Sequence, residues 1–461
     1  MNHTSSHHLS ASTPGLLSSQ SALVGWLEDH IRLLFPEELG PQPVKRGKPP
    51  ELTLPHLCLG LFVGVFCGAT GFTDIWRWLV TEPLGGFPKL SITDDAVRKA
   101  VQRWGPQTFA NLYTHLCDAL PQVKISQTTT GLATFATEIV ALDESTLDAI
   151  HRHRKQVRHL DPGGNGLLAG KIAGLYDVRR QRWSRLQFRA DALAHCANDL
   201  QALVQGLPVG SLILEDLGYF GFPWFDWLTD AGYYFVSRLK EKVTYQMVHT
   251  FVQDEAQGYL DAIVWLGTHR SDRAAHAVRL IQFRKGNRTF SYITNVLDPG
   301  MLPMHEIVQL YARRWDIELI FLLLKEHFGL HIWWSSKQDL MLCQLWIALI
   351  LAHLLTRLRF QVAEAASTSF FNISIPVLMD LLRRFSQTSI PLVSRLAREG
   401  RFLKLIRQNS RIKPDVPHLC LIDITPLPPD LTLLRTARYA HRNPHPRTAD
   451  YTPLFTDRLL I

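Results

Sequence analysis

Cysteine is sparse in this 461-residue chain and poorly spaced for metal: Cys58, Cys67, Cys117, Cys196, Cys343 and Cys420 form no CxxC pair and no zinc-holding pattern. They read as reduced core thiols of a cytosolic protein. The N-terminus lacks a basic segment leading into a short apolar core and a cleavage site, which argues against a secretory signal. Long uninterrupted apolar runs are also missing. Leu52 to Thr73 holds no Asp, Glu, Lys or Arg, but Pro55, His56 and four glycines break it, so it reads as a buried helix rather than a span. The run Leu345 to Leu355, about 11 residues, is too short to cross a bilayer and reads as core or subunit interface. No membrane partner is expected.

What is present is an ordinary globular mixture, 46% apolar and 20% charged, with 49 Lys and Arg against 41 Asp and Glu for a net +8. That balance permits a polyanionic partner without requiring one. The length suggests two to four structural units.

Residues 1–50 read as a Ser/Thr/His-rich disordered tail, an amphipathic helix over Ala22 to Phe35, and a linker, Pro36 to Pro50, with five prolines and a Lys45, Arg46, Lys48 cluster. Residues 51–135 pattern as helices and as a DNA-binding domain. Ser91 or Thr93 would cap a helix Asp94 to Trp104 that exposes Arg98, Lys99 and Arg103. Those cations suit a DNA-reading helix and equally a solvated bundle helix.

From Thr137 the pattern changes to strands and helices in alternation. Ile139 to Asp143, Lys171 to Val178, Arg182 to Phe188, Ser211 to Glu215 and Tyr233 to Leu239 read as strands, with helices at Asp191 to Val204 and Trp224 to Ala231. This predicts an α/β layer with a mixed sheet. Residues 136–239 form its first part, 240–295 a β-strand insertion, and 296–365 its second part, opened by a helix His305 to Lys325 and closed by Leu340 to Arg357. Residues 366–461 read as a helical, basic C-terminal region, with a tail from Arg435 to Arg447 disordered in the absence of DNA.

The chemistry is concentrated in Tyr311-Ala312-Arg313-Arg314-Trp315-Asp316-Ile317-Glu318, with Lys325 after six further residues. At 100° per residue, positions 311, 314, 318 and 325 fall within an arc of about 60°, so Tyr, Arg, Glu and Lys share one stripe. Ile317 and Leu319 to Leu324 make the rest of the helix apolar on nearly every side, which predicts burial. A buried carboxylate and guanidinium need counter-charges, a metal or a ligand. An Arg314–Glu318 structural ion pair is the plainer alternative.

Partner carboxylates for a metal would come from acids ending apolar strands. Asp143 follows Ile139 to Leu142 and Asp216 follows Leu212 to Glu215. Two such aspartates and one helical glutamate can hold two Mg²⁺ or Mn²⁺ ions about 4 Å apart for phosphodiester chemistry. Pattern alone excludes neither neighbouring acid, Glu144 or Glu215.

At these residues the chain resembles the DDE transposases of bacterial insertion sequences, in the insertion-sequence-4-like group marked by Tyr, two residues, Arg, three residues, Glu, six residues, Lys. Leu214-Glu215-Asp216-Leu217-Gly218-Tyr219-Phe220 is similar to the family's second-aspartate strand, although Leu217 stands where Arg is usual. Ala141-Leu142-Asp143-Glu144 matches the first aspartate, and Tyr233 to Lys240 the strand entering the family's β insertion. The resemblance spans about 137 to 355 and favours Asp143, Asp216 and Glu318 as catalytic metal ligands. It implies an RNase H-like core interrupted by a β-strand domain. It also implies that Tyr311, Arg314 and Lys325 contact DNA phosphates, Arg as a bidentate clamp and Lys as a point charge. Trp315 could stack on a base or serve the core, and Trp265 is a weaker candidate for a flipped base.

DNA would also be held by Arg152 to Arg158 and by residues 383–413, which carry nine basic positions against the single acid Glu399. The expectation is cut-and-paste transposition: cleavage of transposon ends, then attack of the freed 3′-hydroxyl on target DNA. The partners are transposon-end and target DNA, with a dimer in the synaptic complex, in the bacterial cytoplasm and on the nucleoid when DNA-bound. A transposase-derived DNA-binding protein without catalysis is the alternative. An aspartyl phosphatase fails because Ser145 stands where its motif needs Asp.

Overall fold

The computed structural model describes residues 21–35, 51–120, 131–146, 171–189, 200–268, 272–330, 332–335, 337–407, 425–439 and 451–456. The basic run Arg152 to Arg158, the linker 36–50 and most of the helix expected from Asp191 lie outside them.

The N-terminal helices are α1 (Ala22–Leu34), α2 (Leu54–Phe66), α3 (Phe72–Thr81) and α4 (Asp94–Ala119). Helix α2 is apolar around its whole circumference and almost wholly buried, as its composition predicts. Its Gly60 and Gly64 let α3 approach closely: a Cβ on Gly64 would lie 2.8 Å from Ile75. Thr93 occupies the N-cap of α4, but its side chain makes no capping hydrogen bond. Gly105, at φ 69°, and Pro106 kink α4 where the expected helix ends. Helix α1 was grouped by composition with the tail before it. It belongs instead to the core: Leu23, Val24 and Leu27 are fully buried, and Ala22 N–H donates to the carbonyl of Phe385.

The sheet holds β1 (Ile139–Thr146), β2 (Lys171–Asp177), β3 (Arg182–Arg189), β4 (Leu212–Leu214), β5 (Tyr234–Arg238), β6 (Tyr245–Asp254), β7 (Tyr259–Leu266), β8 (Val278–Lys285), β9 (Arg288–Thr294) and β10 (Tyr451–Thr456). Their order across the sheet is β10-β3-β2-β1-β4-β5-β9-β8-β7-β6. Strand β1 runs parallel to β4, and β4 to β5, while β2 is antiparallel to both β1 and β3. The remaining pairings are antiparallel, which makes the architecture mixed α/β.

Side chains alternate between two apolar cores. Ile139, Ala141, Leu212, Leu214 and Val236 face the larger one, shared with α1 to α4 and the later helices. Val140, Leu142, Ile213 and Phe235 face the smaller one, with short α5 (Leu200–Val204) and α6 (Phe222–Asp230). The result is helices, sheet, helices in three layers.

Strands β6 to β9 extend the sheet beyond β5, in the span read as a β insertion. A buried pair, Arg279 and Asp261 at 2.5 Å, joins β8 to β7, and Arg279 also donates to the carbonyl of Leu302 at 2.6 Å. The expected long helix His305 to Lys325 divides into α7 (Met304–Arg313), α8 (Trp315–Leu322) and a π turn, Leu323–His327. Helix α9 (Gln338–Ala365) is long and apolar enough to cross a membrane, but 94% of its apolar window is buried among the other helices.

After α10 (Ile375–Arg384) and α11 (Leu392–Glu399) the described residues of the C-terminal region form no further helix, against the helical reading of 366–461. Residues 425–439 run extended across the β6–β9 layer, with bridges from Arg273 to Arg438 and His276 to Leu434. Tyr439 Oη donates to Asp226 at 2.8 Å. The segment is pinned because Leu427, Leu431 and Leu433 pack on Phe251 and Ile263; of the tail Arg435 to Arg447 read as disordered without DNA, residues 435–439 continue this segment and the rest lies outside the described residues.

Candidate active site

Register and parity assemble the site. Ala141 pairs with Leu214 and Leu214 with Val236 across three parallel strands. Two residues further on, just past the last parallel pairing, the three segments deliver a side chain to the same face: Asp143, Asp216 and Arg238. That face is the one that α8 covers, and α8 carries Glu318. The acids left open by pattern go the other way. Glu144 accepts from Lys171 Nζ at 2.9 Å and lies 3.8 Å from Arg189. Glu215 is fully buried and accepts from Trp224 Nε1 at 2.7 Å. Burial pushes its carboxyl well above the usual range, while the Trp224 hydrogen bond opposes the rise.

Arg314 ties the acids together. Its Nη2 donates to Glu318 Oε1 at 2.6 Å, and its Nη1 lies 3.7 Å from Asp143 Oδ2. Its guanidinium carbon is 5.8 Å from the Tyr311 ring and 5.6 Å from the Trp315 ring. Asp143 is pushed up to about 6, mainly by burial, while the Glu144 N–H and Arg314 oppose the rise and the charges of Asp216 and Glu318 add to it. Asp143 therefore feels both of the other carboxylates. Asp216 is held by its own turn, with Oδ1 accepting from Gly218 N–H at 2.6 Å.

Tyr311 packs on Tyr292 at 4.8 Å, and burial raises its phenol to about 12. Lys325 lies in the π turn within electrostatic reach of Asp143, and burial lowers its ammonium below the ordinary value. The stripe of Tyr311, Arg314, Glu318 and Lys325 is thus brought to one place, on backbone that stays helical through Arg314 and Leu323. The apolar remainder is less buried than expected: Trp315 is 50% and Leu322 47% exposed, two turns apart on α8. Behind the stripe, buried Arg313 grips Asp316 at 2.5 Å and the carbonyl of Val178 at 2.8 Å. Gln181 also donates to Asp316, at 2.8 Å. This locks α8 to the β2–β3 turn.

Other sequence candidates lie elsewhere. Arg98 and Lys99 project from α4 and both pair with Asp95, at 2.6 and 2.8 Å, forming a solvated cluster apart from the carboxylates. Trp265 is covered by Arg435, whose guanidinium lies 4.7 Å from its ring. Arg238 was not singled out from sequence. It is exposed and close enough to favour ionised Tyr292 and Tyr311, and its place at the end of the third parallel strand was the signal for it.

The donor set is all oxygen, the chemistry that suits Mg²⁺ or Mn²⁺ rather than soft metals. The raised Asp143, crowded by two other carboxylates, is what a cation would relieve. The residues fit such an ion. Among the described residues, however, no three acidic, His or Cys side chains already form a ready metal cluster. Arg314 instead lies against Asp143 and Glu318.

A family model for the transposase DDE domain matches residues 134–355, which include all three of these acids and the whole stripe. The transposase for insertion sequence element IS231D of Bacillus thuringiensis subsp. finitimus is 24% identical over 272 residues, covering 47% of this chain and 56% of that protein. The IS231E transposase of the same subspecies is 22% identical over 304 residues, 54% of this chain and 63% of its own length. The chain thus spans a little over half the length of these curated relatives. A piggyBac transposase synaptic complex with hairpin DNA aligns over 86% of this chain and 83% of that one, with a TM-score of 0.36 and 11% identity. That superposition is too loose to bear on the fold.

Proposed function

We propose that this chain is a DNA transposase that cleaves the ends of its element and joins the freed 3′-hydroxyl to target DNA. The observation that carries the reading is Arg314 lying against both Asp143 and Glu318, with the charge of Asp216 felt at Asp143. The DDE domain match and the relatives support it. The order β3-β2-β1-β4-β5, with β2 alone reversed, supports an RNase H-like core over 136–239 and 296–365, with residues 240–295 inserted.

Asp143, Asp216 and Glu318 would hold the divalent ions, Mg²⁺ or Mn²⁺, two per site. When bound, these supply charge neutralisation at the attacking and leaving oxygens of a phosphodiester. The chain's own residues do the rest. Arg314, released from the carboxylates, is placed to clamp a phosphate by two N–H groups, with Lys325 adding a point charge and Tyr311 a hydroxyl donor. In the first step water adds to phosphorus and the P–O3′ bond breaks, leaving a 3′-hydroxyl and a 5′-phosphate. In the second that hydroxyl adds to a target phosphorus and displaces a target 3′-oxygen. No covalent enzyme intermediate is needed. Pairing two element ends calls for a dimer in the synaptic complex, on DNA in the bacterial cytoplasm.

The test is incubation of purified protein with linear DNA carrying the sequences that flank its coding region, with Mg²⁺ or Mn²⁺. Expected are cuts at a pair of inverted repeats and joined products. Binding without cleavage under any divalent ion would identify a DNA-binding descendant instead.

A further inference from the structure

The most exposed large apolar side chain among the described residues is Phe402, at 89%. It stands at the tip of the turn after α11, in Arg398-Glu399-Gly400-Arg401-Phe402-Leu403-Lys404-Leu405-Ile406-Arg407. The turn is rigid. Leu405 is fully buried, Ile406 N–H donates to the carbonyl of Gly400 at 2.9 Å, and Arg407 N–H donates to that of Asn372 at 2.8 Å. Gly400 has no room for a side chain, since a Cβ would lie 2.5 Å from the carbonyl of Leu396. Lys404 is held at φ 57°. An aromatic ring is thus fixed in solvent by backbone whose geometry is set from behind.

The surroundings are cationic. Arg401, Lys404 and Arg407 are all exposed. The local acid, Glu399, is already taken by Arg395 and Arg398, at 3.5 and 3.0 Å. Two copies of such a surface would repel, which disfavours self-association through it. Cations flanking a projecting aromatic ring match a polyanion that also presents flat π faces. The turn bridges through Ile406 to Ile373. Next to that bridge, Phe371 packs 4.5 Å from Arg313, beside the catalytic stripe.

We propose that the Gly400–Lys404 turn is a second DNA contact, outside the DDE domain, in which Phe402 stacks on a base or wedges between base steps while Arg401, Lys404 and Arg407 take phosphates. This rests on the reading of the chain as a DNA-acting protein. The test is fluorescence anisotropy of the full chain with a labelled mixed-sequence duplex several turns long, intact or with a one-base gap, across a salt series. Sedimentation of the same samples reports self-association. Phe402→Ala, at a fully solvated position, leaves the melting temperature unchanged and weakens binding roughly five- to fiftyfold, most on the gapped duplex, while Phe402→Trp restores it. Arg401→Ala with Lys404→Ala lowers the slope of log affinity against log salt by about 2. Affinity of Phe402→Ala within twofold of the parent overturns the proposal, as does a change confined to self-association. If the parent binds neither duplex, the transposase reading falls with it.

Discussion

Asp143 and Asp216 leave neighbouring parallel strands at one level and on one face, each two residues beyond the paired positions Ala141 and Leu214. The acids beside them, Glu144 and Glu215, point to the opposite face and are occupied there by Lys171 and Trp224. Asp143→Asn, Asp216→Asn and Glu318→Gln are therefore expected to lower cleavage at least a hundredfold, roughly 3 kcal/mol of barrier. Glu215→Gln should stay within a fewfold of the parent. Single-turnover cleavage of a labelled element end measures this, and loss of activity in Glu215→Gln with retention in Asp216→Asn would reverse the assignment.

The raised Asp143 makes a prediction about stability. With its carboxyl at about 6 in the fold against 3.8 ordinarily, the folded chain holds the proton more tightly than the unfolded one. Its contribution is full below the ordinary value and is lost as pH rises through about 6, at a cost of at most about 3 kcal/mol. In metal-free buffer at neutral pH, Asp143→Asn should melt higher than the parent, and the gap should close toward pH 4. Adding Mn²⁺ should raise the melting temperature of the parent and leave that of the variant unmoved. A variant that melts lower than the parent at neutral pH would mean that Asp143 is a stabilising contact and not a strained ligand.

Much of this was legible before the structure. Strand ends, the apolar helices α2 and α9, and the Tyr311, Arg314, Glu318, Lys325 stripe follow from local periodicity, which a side chain obeys whatever it meets later. Parity sends Asp143 and Glu144 to opposite faces, but with Ile139 to Leu142 apolar on both, it does not say which face carries the site. What could not be read depends on distant partners. Helix α1 resembles a tail helix until Phe385 and its neighbours are beside it. Arg313 and Asp316, at the α7–α8 junction, reach the β2–β3 turn, a contact between segments about 135 residues apart. Trp315 and Leu322 stay exposed although their helix is apolar, since nothing in the described chain covers that side.

That lock behind the stripe should be structural. Arg313 and Asp316 are 2% and 3% exposed, so removing one partner strands a charge in the core. Asp316→Ala is expected to cost about 3–5 kcal/mol in chemical denaturation, whereas a paired apolar replacement, Arg313→Leu with Asp316→Leu, should recover much of it. An unaltered unfolding midpoint in Asp316→Ala would show that the pair does not hold α8 in place.

Arg238 gives the sharpest separation of binding from chemistry. It stands level with Asp216 at the end of β5, exposed, beside Tyr292 and Tyr311, and it touches none of the three carboxylates in any ion pair among the described residues. A cation so placed reaches the same Tyr311 phenol as Arg314 without being tied to the acids, which suits a phosphate next to the one being cut. Arg238→Ala should weaken binding of element-end DNA about uniformly across sequences and reduce the salt slope by about 1. Because the loss is in ground-state binding, cleavage at saturating DNA should fall far less than in Glu318→Gln. An unchanged salt slope would place Arg238 outside the DNA path, and with it the idea that all three parallel strand ends face the duplex.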